Sequence, residues 1–194
     1  MRVILGSQSP RRREILQFFS IPLVATSSDF DESKVSFTGD VNRYVQEIAE
    51  KKGEALLKAF PTDVVITADT VVVFEKEILL KPSTDEEARK TLKKLSGKSH
   101  LVVSGVSVRK GEKVYSGADT TLVTFNELSD RQIETYIKGA HGQDKAGSYG
   151  IQERGSLLVK RIEGCFYNVV GLPVNTLNAL LKQVGIDLWD AISS

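Results

Sequence analysis

Strand-like and helical segments alternate along this chain, and that alternation constrains the fold more than any other feature. Three apolar runs rich in β-branched residues predict strands, namely VVITADTVVVF, HLVVSGVSVR and VYSGADTTLVTF. Capping patterns predict helices around them. Asp40 caps a helix that reaches about Phe60, and Thr84 forms a capping box with Glu87. Alternating strands and helices, with a tight hairpin turn at 110–112, predict an α/β fold in which helices flank a mixed twisted sheet.

Shorter elements complete this prediction at both ends of the chain. We expect strands at 3–5, 23–26 and 156–162. We expect helices that begin at Pro10 after the N-cap Ser9, that run from the cap Ser129 to Gly139, and that begin at Pro173. The 194 residues contain no repeat, low-complexity tract or Pro/Gly/Ser linker, so residues 1–194 are interpreted as one domain.

Composition argues against several classes of protein. Lys and Arg number 26 against 25 Asp and Glu, and a net charge of +1 is not the basic excess of a nucleic-acid-binding surface. A single cysteine, Cys165, excludes a disulfide framework, and the two histidines, His100 and His141, are far apart in sequence. No secretory signal or membrane-spanning run is present, so we expect a cytoplasmic, soluble protein.

The segment SQSPRRR places three arginines at the predicted start of a helix. Cations are unfavourable there because the helix dipole is already positive at this end. A bound anion would reverse that cost, and the hydroxyls of Ser7 and Ser9 with the guanidinium groups of Arg11 and Arg12 suit a phosphate. The alternative is a solvated basic turn with an ordinary Ser-Pro cap.

Lys52 falls on the apolar face of a predicted helix. Helical periodicity places it in line with Tyr44 and Ile48, whereas Lys51 and Lys58 fall on the flank. A lysine that points inward must find an anion or lose its proton. The alternative is that its side chain reaches past the edge of the core into solvent.

Asp69 interrupts the apolar run VVITADTVVVF, where a buried carboxylate is costly unless a charge or hydrogen bond compensates it. It is either a loop residue between two strands or a metal ligand or base in a cleft, with the Thr70 hydroxyl beside it. Three further residues are weaker candidates for a ligand-binding site: Lys81 before Pro82, Glu32 in an aperiodic acidic stretch, and Gln152 in a glycine-rich loop. In that loop, the Tyr149 ring and the Gln152 amide could read a base, or the loop is an ordinary surface segment.

These residues belong to motifs that together resemble the Maf family of nucleotide pyrophosphatases over nearly the whole chain. Eight motifs occur in the family's order: SQSPRR (7–12), DES (31–33), YVQEIAEKK (44–52), ADT (68–70), KP (81–82), LSGKSH (95–100), DKAGSYGIQ (144–152) and VVGLP (169–173). The resemblance implies a fold related to the inosine triphosphate pyrophosphatases, with two lobes around a central cleft. It further implies hydrolysis of nucleoside triphosphates to monophosphate and pyrophosphate, a divalent cation (Mg²⁺ or Mn²⁺) and a homodimer.

The resemblance also implies roles for individual residues. Asp69 takes the place of the catalytic carboxylate, and Glu32 that of the second acid, so that Glu32 and Asp69 would hold the metal. The phosphate-binding positions are Ser7, Arg11, Arg12, Lys52 and Lys81. The positions that set substrate specificity are Arg11, Thr70 and Gln152.

The sequences ADT and YGIQ resemble those of the branch that acts on dTTP and UTP. We therefore expect dTTP and UTP as substrates of this chain, with 5-methyl-UTP or pseudo-UTP also accepted. Two residues depart from the family's usual pattern: Glu153 stands where glycine is usual, and Gly53 where alanine is usual.

Three other functions stay open at this point. The chain could sense nucleotides and regulate cell division at the septum without turnover, because the family has been linked to septum formation. It could bind nucleic acid through its arginines, although its near-neutral charge argues against this. It could also be another phosphate enzyme, such as a nucleotidyltransferase or a phosphatase, and an orthophosphate product would identify a phosphatase.

Overall fold

The protein, analysed as a computed structural model, is described over residues 2–139 and 145–192. His141 and Asp144, the first residue of the DKAGSYGIQ motif, lie outside the described residues. The chain forms two compact units. The first comprises Met1–Asp69, Ser104–Asp119 and Gly171–Ser194, and the second comprises Thr70–Val103 and Thr120–Val170.

Strands and helices alternate as the sequence predicts. The strands are β1 (Val3–Gly6), β2 (Leu23–Thr26), β3 (Val64–Phe74), β4 (Glu77–Leu79), β5 (Ser99–Lys110), β6 (Lys113–Phe125) and β7 (Val159–Glu163). The α-helices are α1 (Pro10–Leu16), α2 (Val41–Leu56), α3 (Asp85–Leu95), α4 (Asp130–Gly139), α5 (Phe166–Val170) and α6 (Val174–Lys182). Short 3-10 turns lie at Glu32–Lys34, Ala146–Ser148, Glu153–Leu157 and Leu188–Ala191.

Within the described residues, hydrogen bonds join the strands in the order β2-β1-β3-β5-β6-β7, with β4 paired to β3. Strand β1 is parallel to both β2 and β3, in a register that pairs Val3 with Leu23 and with Val64. Strand β4 is antiparallel to β3, and β7 is antiparallel to β6. The sheet is therefore mixed, which confirms the predicted α/β architecture.

In the first unit, close backbone contact fixes helix α2 against the sheet. A β-carbon at Gly105 of β5 would lie 2.4 Å from the carbonyl of Val45, so only glycine allows the helix to approach this far. The buried Thr67 hydroxyl of β3 donates a hydrogen bond of 2.5 Å to the carbonyl of Ala49. Asp40 caps the helix, as predicted, by accepting a bond from the Arg43 amide.

The second unit has its own apolar core, to which its strands and helices contribute. Helix α3 packs against α4 and against the Ala146–Ser148 turn. The fully buried side chains of this core are Leu92, Leu95, Val123, Phe125 and Ile133. The predicted cap of α3 forms, since Thr84 accepts from the Glu87 amide, but the Glu87 carboxylate accepts from the amide of Ser83 and not from that of Thr84, as a capping box would require.

Strand β3 continues through Asp69 without a break, which excludes the loop alternative for this residue. The structure corrects three other expectations. Helix α2 ends at Leu56, and the chain continues in a turn in which the amides of Ala59 and Phe60 donate to the Leu56 carbonyl. Phe60 itself disfavours the helical conformation because it precedes proline. The strand expected from 156 begins at Val159, since the preceding residues form a 3-10 turn, and the short helix α5 was not predicted.

No helix in the described part of the chain has both the length and the apolar character that a membrane span needs.

Candidate active site

Asp69 carries its carboxylate on the face of β3 that supports helix α2. Side chains two residues apart on a strand share a face, and Thr67 on that face already bonds to α2. Asp69 is only 7% exposed and lies among apolar strand residues, so its charge requires a partner.

Lys52 is that partner, and its side chain points inward from α2 as the helical periodicity predicts. Its ammonium nitrogen lies 2.9 Å from Asp69 Oδ1, and both side chains are buried.

The neighbouring Gly53 explains one departure from the family's pattern. A β-carbon at Gly53 would lie 3.3 Å from Thr67 Oγ1, so glycine relieves a tight contact between α2 and β3 beside the lysine.

Glu32 completes a three-residue ion cluster. Its Oε1 atom lies 2.7 Å from the Lys52 ammonium, and its side chain is 47% exposed. Local hydrogen bonds shape the segment that carries it: Asp31 accepts from both the amide and the hydroxyl of Ser33. One ammonium group thus contacts a buried and a half-exposed carboxylate at once, so the cluster extends from the core to the surface of this unit.

Arg12 is fixed beside this cluster by two hydrogen bonds. Its Nε donates to the carbonyl of Gly171 at 2.7 Å, and its Nη1 donates to Ser7 Oγ at 3.2 Å. Burial lowers the pKa of the Arg12 guanidinium, a shift that the charges of Asp69 and Glu32 oppose. Any anion bound here would be held mainly by these side chains, because α1 has only seven residues and its dipole is correspondingly small.

Arg11 belongs to the same electrostatic neighbourhood, because its charge contributes to the lowered pKa of Arg12. The structure therefore brings Ser7, Arg11, Arg12, Glu32, Lys52 and Asp69 together within the first unit.

Sequence reasoning missed the aromatic pair next to this cluster. Tyr44 on α2 contacts Phe37 edge to face, with ring centroids 5.6 Å apart. Burial raises the pKa of the Tyr44 phenol, and the carboxylates of Asp69 and Glu32 raise it further. Its place next to the cluster could have been predicted, because Tyr44 begins the YVQEIAEKK motif and lies on the helix face that carries Lys52.

The other predicted site residues lie in the second unit. Thr70 follows Asp69 on β3 and is partly exposed, and Lys81 is exposed just after β4, beside the buried Pro82. Gln152 is exposed immediately before the Glu153–Leu157 turn.

The ring of Tyr149 is buried, in contrast to its expected place in an open loop. Its ring is 5% exposed and its hydroxyl lies 2.7 Å from His100 Nε2, so the ring is packed in the core and is not presented to a base. The glycine-rich sequence around it suggested an open loop, but tertiary packing decides the outcome.

The donor set of the first unit suits a divalent cation bound together with phosphates. No cluster of three or more His, Cys, Asp or Glu side chains suited to a metal occurs in the described ranges 2–139 and 145–192. Glu32 and Asp69 nevertheless converge on one point, at which the Lys52 ammonium lies. Mg²⁺ typically uses one or two carboxylates plus substrate phosphates and water, so two acidic groups are sufficient.

Comparisons with known proteins identify the family to which this chain belongs. The sequence pattern of a family described as Maf-like protein matches residues 2–184. A dTTP/UTP pyrophosphatase of Chlamydia caviae is 43% identical over 190 residues, which is 97% of each chain. A protein of the same name from Acholeplasma laidlawii is 44% identical over 184 residues, covering 95% of this chain and 97% of that one.

Among solved structures, a HAM1 protein from Coxiella burnetii matches with a TM-score of 0.50 and 14% identity, covering 94% of this chain and 99% of that chain. At this level of identity the likeness concerns the fold alone.

Proposed function

Because this chain belongs to the Maf family, whose sequence pattern spans residues 2–184, we propose that it is a nucleoside triphosphate pyrophosphatase that acts on dTTP and UTP. The products are the nucleoside monophosphate and pyrophosphate, so the enzyme is a hydrolase of phosphoric anhydrides. Relatives at 43% and 44% identity over nearly their full length carry the name dTTP/UTP pyrophosphatase. The observation that carries the proposal is the Lys52 ammonium placed between Asp69 and Glu32.

The negative charge of a triphosphate repels an attacking nucleophile. Much of this charge must therefore be neutralised before water can approach phosphorus. Arg12 is suited to this role because Ser7 and Gly171 hold its guanidinium in one orientation. A group that is already oriented loses little freedom when it binds an anion. Arg11, Lys52 and Lys81 supply further positive charge for the phosphates, and the Ser7 hydroxyl supplies a hydrogen bond.

Asp69 acts on the attacking water. The water oxygen forms a bond to the α-phosphorus, its proton passes to the Asp69 carboxylate, and the bond from the α-phosphorus to the bridging oxygen breaks so that pyrophosphate leaves. A carboxylate in the middle of a strand is held rigidly by the sheet around it, which favours a fixed water position.

Glu32 and Asp69 would hold Mg²⁺ or Mn²⁺, which neutralises phosphate charge and polarises the phosphoryl group when bound. Their roles differ by exposure. The half-exposed Glu32 is accessible to a cation that arrives with the nucleotide, whereas Asp69 stays within the sheet.

Arg11, Thr70 and Gln152 set the base specificity, with 5-methyl-UTP and pseudo-UTP as further substrates. Glu153, next to Gln152, adopts a positive φ of 52°. Glycine takes this conformation without strain, which gives a physical reason for the family's usual residue here. In this chain Glu153 adopts that conformation at a cost in strain.

The same family membership leads us to expect a homodimer in the cytoplasm, with nucleotides and neither nucleic acid nor membrane as partners. Light scattering of the purified protein measures the oligomeric state directly.

A panel of canonical and modified nucleotides with product identification tests the proposal. We expect pyrophosphate and monophosphate from dTTP and UTP in the presence of Mg²⁺. Orthophosphate as the product would indicate a phosphatase, and tight binding without turnover would indicate a nucleotide-sensing regulator. Either result would overturn the proposed activity.

A further inference from the structure

Three buried rings meet in the core of the second unit. The centroid of His100 lies 4.9 Å from that of Phe125 and 5.4 Å from that of Tyr149, and all three pairs meet edge to face. The His100 Nε2 atom and the Tyr149 hydroxyl are 2.7 Å apart, and His100 is only 2% exposed. This hydrogen bond is a specific polar contact inside an apolar core.

Both partners of the bond are neutral at physiological pH. Burial lowers the pKa of His100 to about 4 and raises that of the Tyr149 phenol. The other ring nitrogen of His100, Nδ1, makes no hydrogen bond within residues 2–139 and 145–192. The bond to Tyr149 therefore satisfies the side of the imidazole that faces the 147–150 segment, and losing it would leave a second buried nitrogen unsatisfied.

Tyr149 ends a strained turn. Gly147 and Ser148 adopt φ values of 68° and 66°. Gly147 is required, because a β-carbon there would lie 2.8 Å from Val72 Cγ2. Ser148 is buried in a conformation that L-residues rarely adopt, so surrounding contacts must hold it there. The buried ring and hydroxyl of Tyr149 provide the next such contact along the chain.

Beyond Tyr149, packing fixes the segment that carries Gln152 at both of its ends. The Gly150 amide donates to the Tyr136 hydroxyl at 3.3 Å. A β-carbon at Gly155 would lie 1.5 Å from the Gly150 carbonyl oxygen, so the Glu153–Leu157 turn rests directly on this backbone. The Gly155 amide also donates to the Gln152 carbonyl at 3.1 Å. Gln152 is thus an exposed side chain on a backbone anchored before and after it.

We propose that His100 is a positioning residue for base recognition. Through the Tyr149 hydroxyl it holds the strained 147–150 turn, and this turn fixes the backbone from which the Gln152 side-chain amide reaches the base. This inference rests on the proposed function, in which Gln152 reads the pyrimidine. It assigns a role to the histidine of the LSGKSH motif, which the proposed chemistry does not otherwise use. Neither His100 nor Tyr149 touches the reacting atoms in this role.

The test removes one oxygen atom. Tyr149→Phe keeps the ring but breaks the bond to His100, and Tyr115→Phe is the matched control, because it removes a phenol oxygen from β6 in the first unit. We expect Tyr149→Phe to lower the preference for UTP over CTP, measured as the ratio of kcat/KM, by about tenfold. The lower kcat/KM should come from a higher KM for UTP, with kcat changed less than about threefold. The UTP/CTP ratio should stay unchanged in Tyr115→Phe.

A double-mutant cycle separates positioning from a general structural role. If His100 and Tyr149 act through Gln152, then Tyr149→Phe should leave the UTP/CTP ratio unchanged in a Gln152→Ala background. His100→Phe, which fills the space without the bond, should reproduce the effect of Tyr149→Phe. Amide hydrogen exchange of the 145–152 peptide should be faster in both variants without nucleotide.

Two results would overturn this inference: an unchanged UTP/CTP ratio in Tyr149→Phe, or an equal fall in kcat for all nucleotides. Failure of the proposed function looks different, because the wild-type protein itself would then release no pyrophosphate or show no preference for UTP over CTP.

Discussion

Each of the two units buries a polar cluster, and the two clusters differ in charge. In the first unit, the Lys52 ammonium lies within 3 Å of carboxylate oxygens from Asp69 and Glu32. In the second unit, His100 and Tyr149 form one bond between neutral groups. A charged cluster can exchange its internal partners for the charges of a ligand, whereas a neutral pair mainly fixes geometry. The comparison therefore assigns chemistry to the first cluster and positioning to the second.

The largest expected effect is on the chemical step. Asp69→Asn keeps the size of the side chain but removes the base, so kcat/KM for UTP should fall about 10²–10³-fold, or about 2–4 kcal/mol of transition-state stabilisation. Circular dichroism should show a retained fold. Asp63→Asn is the matched control, because Asp63 is also buried and pairs with Arg2 at 2.8 Å just before β3. Wild-type turnover by Asp69→Asn would refute the assigned base.

The second prediction concerns the neutral cluster and pH. His100 has a pKa of about 4 when folded against 6.5 for an unperturbed histidine, so the unfolded chain binds more protons between these values. Stability from this group is complete above about pH 6.5 and is lost as pH falls towards 4, by about 3 kcal/mol.

Denaturant unfolding of the wild type and of His100→Gln at several pH values isolates this contribution from that of the carboxylates. The difference in unfolding free energy between the two proteins should shrink between pH 6.5 and 4. A constant difference would mean that His100 does not titrate in this window.

The third prediction sharpens the account of the charged cluster. The Lys52 ammonium lies where Glu32 and Asp69 converge, so it competes with a divalent cation held by both. Lys52→Met should therefore strengthen Mn²⁺ binding in the absence of nucleotide by about tenfold, as measured by electron paramagnetic resonance.

Lys51→Met is the matched control, because Lys51 pairs with Glu54 at 2.8 Å on the exposed face of the same helix. Equal Mn²⁺ affinity in the wild type and Lys52→Met would show that the cation does not occupy this point.

The smallest expected effect concerns backbone strain beside Gln152. Glu153 has a φ of 52°, and Glu153→Gly should relieve that strain and raise the unfolding free energy by up to about 1 kcal/mol. Glu153→Ala removes the same side chain but keeps the strain, so it should bring no such gain. A melting temperature that falls in Glu153→Gly would contradict this reading.

The sequence alone predicts the residues whose position follows from periodicity. Lys52 lies inward because it repeats with Tyr44 and Ile48 on one helix face, and the structure confirms it. Asp69 was expected to be either a loop residue or a site residue, and it is a buried partner of Lys52 within an unbroken strand. The run VVITADTVVVF was predicted as a strand, but the position of Asp69 stayed open, because its burial depends on a compensating charge that comes from another element.

Residues outside periodic segments could not be placed from their own pattern. Glu32 lies in an aperiodic stretch, and only the family resemblance assigned it to the site; its contact with Lys52 is a tertiary one that was not predicted. The glycines on both sides of Tyr149 suggested an open loop, so neither alternative for this segment, base reading or an ordinary surface loop, predicted that its ring is buried. Its bond to His100 joins residues 49 positions apart, and no local signal reports such a contact.

Hydrolysis in water enriched in heavy oxygen tests the central claim most directly. If the cluster around Asp69 directs water to the α-phosphorus, mass spectrometry will find the heavy oxygen in the nucleoside monophosphate and none in pyrophosphate. Heavy oxygen in pyrophosphate, or its appearance in orthophosphate, would place the attack on another phosphorus and contradict the account.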